Sequence, residues 1–288
     1  MRQFLFWITV ATTPLLAAET SPVDTYFSHF EILAPAEKWD EILKEGVVAL
    51  EAAKAENRPQ DEAKICAQLA STCFYKGDFN QVLAYAQRCQ KVSESFKDPT
   101  LYIRSLYLES SAYRAVAMKH QDEQLQQTCF QLAVETAEKG AELYHKREMQ
   151  NPNLQGKVYF NLGAAHADNP QGDLGKAVSC YTIALDSFKS ANNSDDIIRI
   201  SLRLGRVYLL QRNYERTQIC IDQARPMITK ERIAMHADYL EAQLKIAQRD
   251  YPAAQAVAQR GLERAKILGA KEDELRLSTL LNSLHSFH

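Results

Sequence analysis

The stretch Asn161-Leu162-Gly163-Ala164-Ala165-His166, followed by Gly172-Asp173-Leu174-Gly175-Lys176-Ala177-Val178 and then by Tyr181 and Ala184-Leu185, decides how this chain folds. Apolar and small residues recur there three and four positions apart, the spacing of one face of an α-helix. The polar break Asn169-Pro170-Gln171-Gly172-Asp173 separates two such helices, and Asp173 is placed to cap the second. Gly163 on the first helix and Ala184 on the second are small, so the two backbones can approach closely. One hairpin of this kind cannot bury both of its apolar faces. It needs another stacked on it.

The same order recurs along the chain. Leu204-Gly205-Arg206-Val207-Tyr208 precedes Asn213-Tyr214, Ile221 and Ala224. Leu69-Ala70-Ser71-Thr72-Cys73 precedes Lys76-Gly77-Asp78-Phe79, Val82, Ala86 and Cys89. Looser copies run through Ser110, Tyr113, Ala133, Ala137 and Gly140, and through Ala242, Asp250-Tyr251, Ala254, Ala258 and Gly261. Trp39-Asp40-Glu41-Ile42 with Ala49 and Leu50 reads as the second half of a copy whose first helix is short. Breaks such as Asn57-Arg58-Pro59, Lys97-Asp98-Pro99, Asn151-Pro152-Asn153 and Asn192-Asn193-Ser194-Asp195 divide the chain into about twelve helices, with no strand pattern. These copies resemble the tetratricopeptide repeat, whose first helix carries Leu-Gly-x-x-Tyr and whose second carries spaced Ala and aromatic residues. His166 stands where that Tyr is expected. Equivalent positions such as Trp39 and Phe79 lie about 40 residues apart, against about 34 in the common unit. The helices are therefore long, above all a second helix over roughly residues 121–147. The resemblance implies an all-α fold: a right-handed α-solenoid of about six helical hairpins, its concave face lined by first helices. Lys271 to Phe287 is amphipathic and would cap the open end.

Residues 37–288 form the expected solenoid domain, after an extension with a short helix over residues 19–36. Residues 1–18 differ from both. A weakly basic start, an uncharged apolar run from Phe4 to Leu16, and Ala17-Ala18 before polar Glu19 follow the order of a secretory signal. The expected location is therefore the periplasm or outside the cell, with the cytoplasm as the alternative. Six cysteines (66, 73, 89, 129, 180 and 220) match no zinc spacing and form no Cys-x-x-Cys pair. Cys66, Cys73 and Cys89 fall at core registers of the repeat, where a thiol serves as a small hydrophobe.

The sequence shows no Gly-rich phosphate loop, no His-Glu-x-x-His and no Gly-x-Ser-x-Gly. His285 and His288, three apart, are too few to make a metal site. Asp195-Asp196 and Glu272-Asp273-Glu274 stand at expected helix starts, where the helix dipole favours acids. No enzyme activity, cofactor or metal is expected. A net charge of −2 leaves no global footprint for nucleic acid, and no stretch after the leader is suited to membrane insertion.

One charge pattern remains. Arg199, Arg203 and Arg206 lie four and three apart and form a stripe on one helix face. In the repeat register this face is concave, and Lys157 and Asn161 occupy matching positions one hairpin earlier. Tetratricopeptide domains that clamp the C-terminal carboxylate of chaperone tails use an Asn with basic residues on the next repeat. Asn161, Arg199 and Arg203 map onto those positions, whereas Tyr107 and Ser111 stand where that clamp has Lys and Asn. The expected role is a protein–protein interaction scaffold in which Lys157, Asn161, Arg199, Arg203 and Arg206 hold an acidic or C-terminal segment. Tyr107, Arg114, Tyr239 and Gln243 extend the same groove. A plain solvated face, partly neutralised by Asp195 and Asp196, is the simpler reading. A peptide-sensing regulator whose solenoid changes shape is the alternative function.

Overall fold

Helical periodicity becomes thirteen α-helices among the residues that the computed structural model describes, 20–284. The leader Met1–Ala18 and the pair His285 and His288 lie outside the described residues. The helices are α1 (Pro22–Leu33), α2 (Trp39–Ala55), α3 (Pro59–Lys76), α4 (Phe79–Ser93), α5 (Thr100–Lys119), α6 (Glu123–Lys146), α7 (Pro152–Asp168), α8 (Leu174–Ser190), α9 (Ser194–Leu210), α10 (Tyr214–Ala224), α11 (Glu231–Ala247), α12 (Tyr251–Ile267) and α13 (Lys271–Leu284). A single 3₁₀ turn, Arg225–Met227, follows α10. No strand occurs among the described residues.

Local chemistry sets these boundaries. Asp78, Asp122, Asn151, Asp173, Asn193, Asn213 and Asp250 each accept a hydrogen bond from a backbone N–H of the first turn they cap. Proline occupies the first turn of α1, α3, α7 and α12, where a missing N–H costs nothing. Many helix exits share one form. Arg212 takes a left-handed φ of 59°; its N–H bonds to Leu209 O, and the N–H of Asn213 bonds to Tyr208 O. Glu37, Asn57, Glu148, Asn192 and Arg249 take the same left-handed form without being glycine.

The helices pair as six antiparallel hairpins, α1–α2 through α11–α12, and α13 packs on α12. Small residues set the spacing within a pair. A Cβ on Gly163 would lie 2.7 Å from the Tyr181 ring, and one on Gly205 would lie 3.1 Å from Cys220 Cβ. First helices also touch one another, α3 with α5, α5 with α7, α7 with α9 and α9 with α11. Second helices pack mainly on the first helices either side. The first helices therefore crowd one face while the second helices spread, and the stack curves with first helices inside. The curvature brings Lys119, at the end of α5, to 3.8 Å from Glu272, at the start of α13.

The core is a chain of clusters, one after another along the stack. Tyr26, Ile42, Ile65 and Leu69 begin it, Tyr181, Phe188 and Ile200 lie mid-way, and Met235, Leu262 and Leu277 end it. All six cysteines are buried and free. Burial pushes the Cys66 thiol up to about 12, and those of Cys73, Cys89, Cys180 and Cys220 to about 11. Little reactive thiolate forms at neutral pH.

Candidate functional site in the concave groove

The inner helices α5, α7, α9 and α11 carry the residues that the sequence singles out. Their chemistry centres on a residue it does not, Asp168. This carboxylate ends α7, at the negative pole of the helix dipole, a position that disfavours an acid. Its side chain is 1% exposed and faces three guanidiniums. Arg206 Nη1 donates to Oδ1 at 2.8 Å, Arg203 Nη1 stands 3.4 Å from both oxygens, and Arg114 Nε lies 3.4 Å from Oδ2. Burial by itself would raise the Asp168 carboxyl; Arg203, Arg114 and Arg206 outweigh it and hold the carboxyl below its usual value.

Hydrogen bonding in this cluster is incomplete. Arg114 is 7% exposed, and its Nε and Nη1 have no hydrogen-bond acceptor. Beside it, the Tyr181 hydroxyl from α8 is buried and also unpartnered. Its phenol is pushed up to about 12 by burial, with Arg203 pulling the other way. One carboxylate therefore balances three guanidiniums, leaving an excess of two positive charges beside three unfilled polar atoms.

The other expected residues divide into two groups. Lys157 pairs with Asp196, which also stands 3.6 Å from Arg199 and accepts from Asn193 Nδ2 at 2.8 Å. Asp195 pairs instead with Lys230. Arg199 and Arg206 remain about half exposed, and Arg203 a third exposed, so the stripe still meets solvent. Asn161 does not. It is 7% exposed, accepts from the Ser111 hydroxyl, and donates Nδ2 to Lys157 O at 2.8 Å. Its amide ties α7 to α5 and presents little to the groove. Tyr107 is half-buried against the cores around Ala70 and Val158. Tyr239 and Gln243 are half-buried on α11, Tyr239 packing near Met235. They extend the inner surface and do not join the Asp168 cluster.

Two surface cavities of about 340 and 460 Å³ lie along the C-terminal half of α6, and none of these groove residues lines them. Among the described residues, no group of three or more His, Cys, Asp or Glu is arranged to hold a metal ion. No helix there is long and apolar enough to cross a membrane.

No protein-family model matches the chain, and no curated protein matches it. Several solved structures share its architecture. The apo form of RapI superposes with a TM-score of 0.60 at 12% identity, covering 92% of this chain and 97% of that one. A Rap protein complexed with Competence and Sporulation Factor gives 0.63 at 12% identity, over 92% of this chain and 75% of that one. A Signal Transduction ATPase with Numerous Domains from Pyrococcus horikoshii, which carries a tetratricopeptide repeat sensor, gives 0.57 at 17% identity. The fold is a tetratricopeptide-like helical solenoid. That match covers 91% of this chain and 41% of the Pyrococcus protein, so the solenoid equals less than half of that protein's length. At such identities the likeness is one of fold.

Proposed function

We propose that this chain is a non-catalytic scaffold whose concave groove holds an extended segment of a protein partner, acidic in character or ending in a free carboxylate. One observation carries the reading. On the inner helices, Arg114, Lys157, Arg199, Arg203 and Arg206 face only Asp168 and Asp196, and three of these arginines remain open to solvent. Arginine suits such a segment because its planar fork holds a carboxylate through two hydrogen bonds. Arg203→Glu and Arg199→Glu should each reduce capture of partners from an extract, read by mass spectrometry against wild type. Unchanged capture by both folded variants sinks the proposal.

A second reading is a regulator that senses a small peptide. It is favoured by the likeness to a Rap protein solved with Competence and Sporulation Factor bound. We place either activity outside the cytoplasm, on the strength of the Met1–Ala18 leader. Six free thiols by themselves fit a reducing compartment better, and their burial is what makes them compatible with export. N-terminal sequencing of the mature protein tests the placement: a start near Glu19 supports it, and a start at Met1 moves the scaffold to the cytoplasm.

A further inference from the structure

We infer that Arg203, Arg206 and Tyr181, backed by the buried Arg114, form a seat for a doubly charged oxyanion of the phosphate-monoester class, balanced against Asp168. The seat draws on four helices, α5, α7, α8 and α9, from three successive hairpins. It shares Arg114, Arg203 and Arg206 with the proposed partner groove, and free-anion binding tests it without a partner.

Charge and hydrogen bonding point to the same ligand. Three guanidiniums meet one carboxylate that is 1% exposed. An excess of two charges is costly to hold away from water, and a dianion removes it. A monoanion leaves half of it. The unfilled groups are Arg114 Nε and Nη1 and the Tyr181 hydroxyl, and buried donors without acceptors signal a missing partner. A phosphoryl group brings three acceptor oxygens, which suit arginine forks.

The geometry also supplies a way in. Arg114 is sealed from solvent, but Arg206 is 46% exposed and Arg203 is 33% exposed. The oxyanion meets these two first. Asp168 now spends its one short bond, 2.8 Å, on Arg206. When the ligand takes Arg206, Asp168 is released toward Arg114, whose Nε is already 3.4 Å from Oδ2. The ligand then replaces Asp168 on the exposed arginines, and Asp168 fills the empty N–H groups of the buried one. Arg114 is a positioning residue in this exchange.

Other charges bear on the site. His236 of α11 lies close enough to Arg203 to feel its charge, and it stands 3.9 Å from Asp273 of α13. Its protonation therefore alters the field at the seat. Sulfate, a dianion throughout the relevant pH range, reports that contribution, and inorganic phosphate adds the titration of its own second proton, about one unit above the value near 6 of a monoester.

The test is titration calorimetry on the full chain at constant ionic strength, with millimolar inorganic phosphate, sulfate and acetate. Sulfate and phosphate should bind at pH 7.5, acetate should not, and phosphate should weaken relative to sulfate at pH 5.5. Arg206→Ala, at a partly exposed position, should weaken both dianions roughly tenfold. Asp168→Asn should tighten them roughly threefold, because the internal competitor is gone. A phosphoserine peptide compared with its unphosphorylated form distinguishes a partner-borne phosphate from free phosphate. Acetate binding equal to sulfate, or a folded Arg206→Ala that binds as wild type, overturns the inference.

Discussion

Asp168 sits at the wrong end of a helix for an acid, and its arginine neighbours are what make it tolerable there. Removing its charge should therefore be costly. Asp168→Asn leaves three guanidiniums facing one another and should lower stability at pH 7 by about 2 kcal/mol. That is less than the loss of about 3–5 kcal/mol at a fully buried pair, because Arg203 and Arg206 keep contact with water. The sign with pH follows from the lowered carboxyl. Its contribution is complete above the unfolded value of about 3.9 and is lost as pH falls through the lower folded value. Urea midpoints between pH 2 and 5 should decline less steeply in the variant than in wild type; equal slopes would show that Asp168 is not the titrating group. The arginine stripe was legible in the sequence from its spacing of four and three, and so was the calming effect of Asp196. Asp168 was not. It lies 35 positions before Arg203, next to the turn that starts at Asn169, where an acid reads as loop chemistry. Only the twist of one hairpin on the next brings the two together. Asn161 shows the converse: the register placed it on the inner helix, but the close approach of α5 buried it against Ser111.

At the scale of the helix, the starts were easier to read than the stops. Asp78, Asp173, Asn193 and Asp250 each announce an N-terminus by residue type. Glycine usually announces the other end, and Gly77 and Gly269 do so here. Glu37, Glu148, Arg212 and Arg249 fill the same left-handed position, so residue type carries no sign of these exits, whereas Asn57 and Asn192 stand in breaks that the sequence already marks. Each pays for its Cβ in a conformation suited to glycine. Arg212→Gly should therefore stabilise the chain by about 0.5–1 kcal/mol, measured as a rise in the urea midpoint without a change of slope. A fall would mean that the Arg212 side chain contributes more than its backbone costs.

For the whole molecule, the six-hairpin stack with a terminal helix follows from repetition, and repetition was plain in the sequence even where single copies were loose. The short first helix α1, the long second helix α6 and the cap α13 all have counterparts in that reading. A stack of this kind is stabilised by neighbours, so damage should stay local. Ending the chain after Gly269 uncovers Val257, Leu262 and Ala265, which pack with Leu277 and Leu281 of α13. Hydrogen exchange should then quicken in α11 and α12 while α3 to α8 keep their protection. A uniform loss along the chain would mean that the stack folds as one cooperative block.

The turn at Asn213 has a practical side. Its N–H closes α9 on Tyr208 O, and its side chain opens α10 by accepting from Arg216 N. Asp78, Asn193 and Asp250 serve their neighbouring helices in the same double way. An inserted residue there forfeits a stop or a start, so a fluorescent tag or fusion partner belongs elsewhere. The connections over residues 94–99 and 225–230, where no residue holds both offices, are the natural places to splice one in.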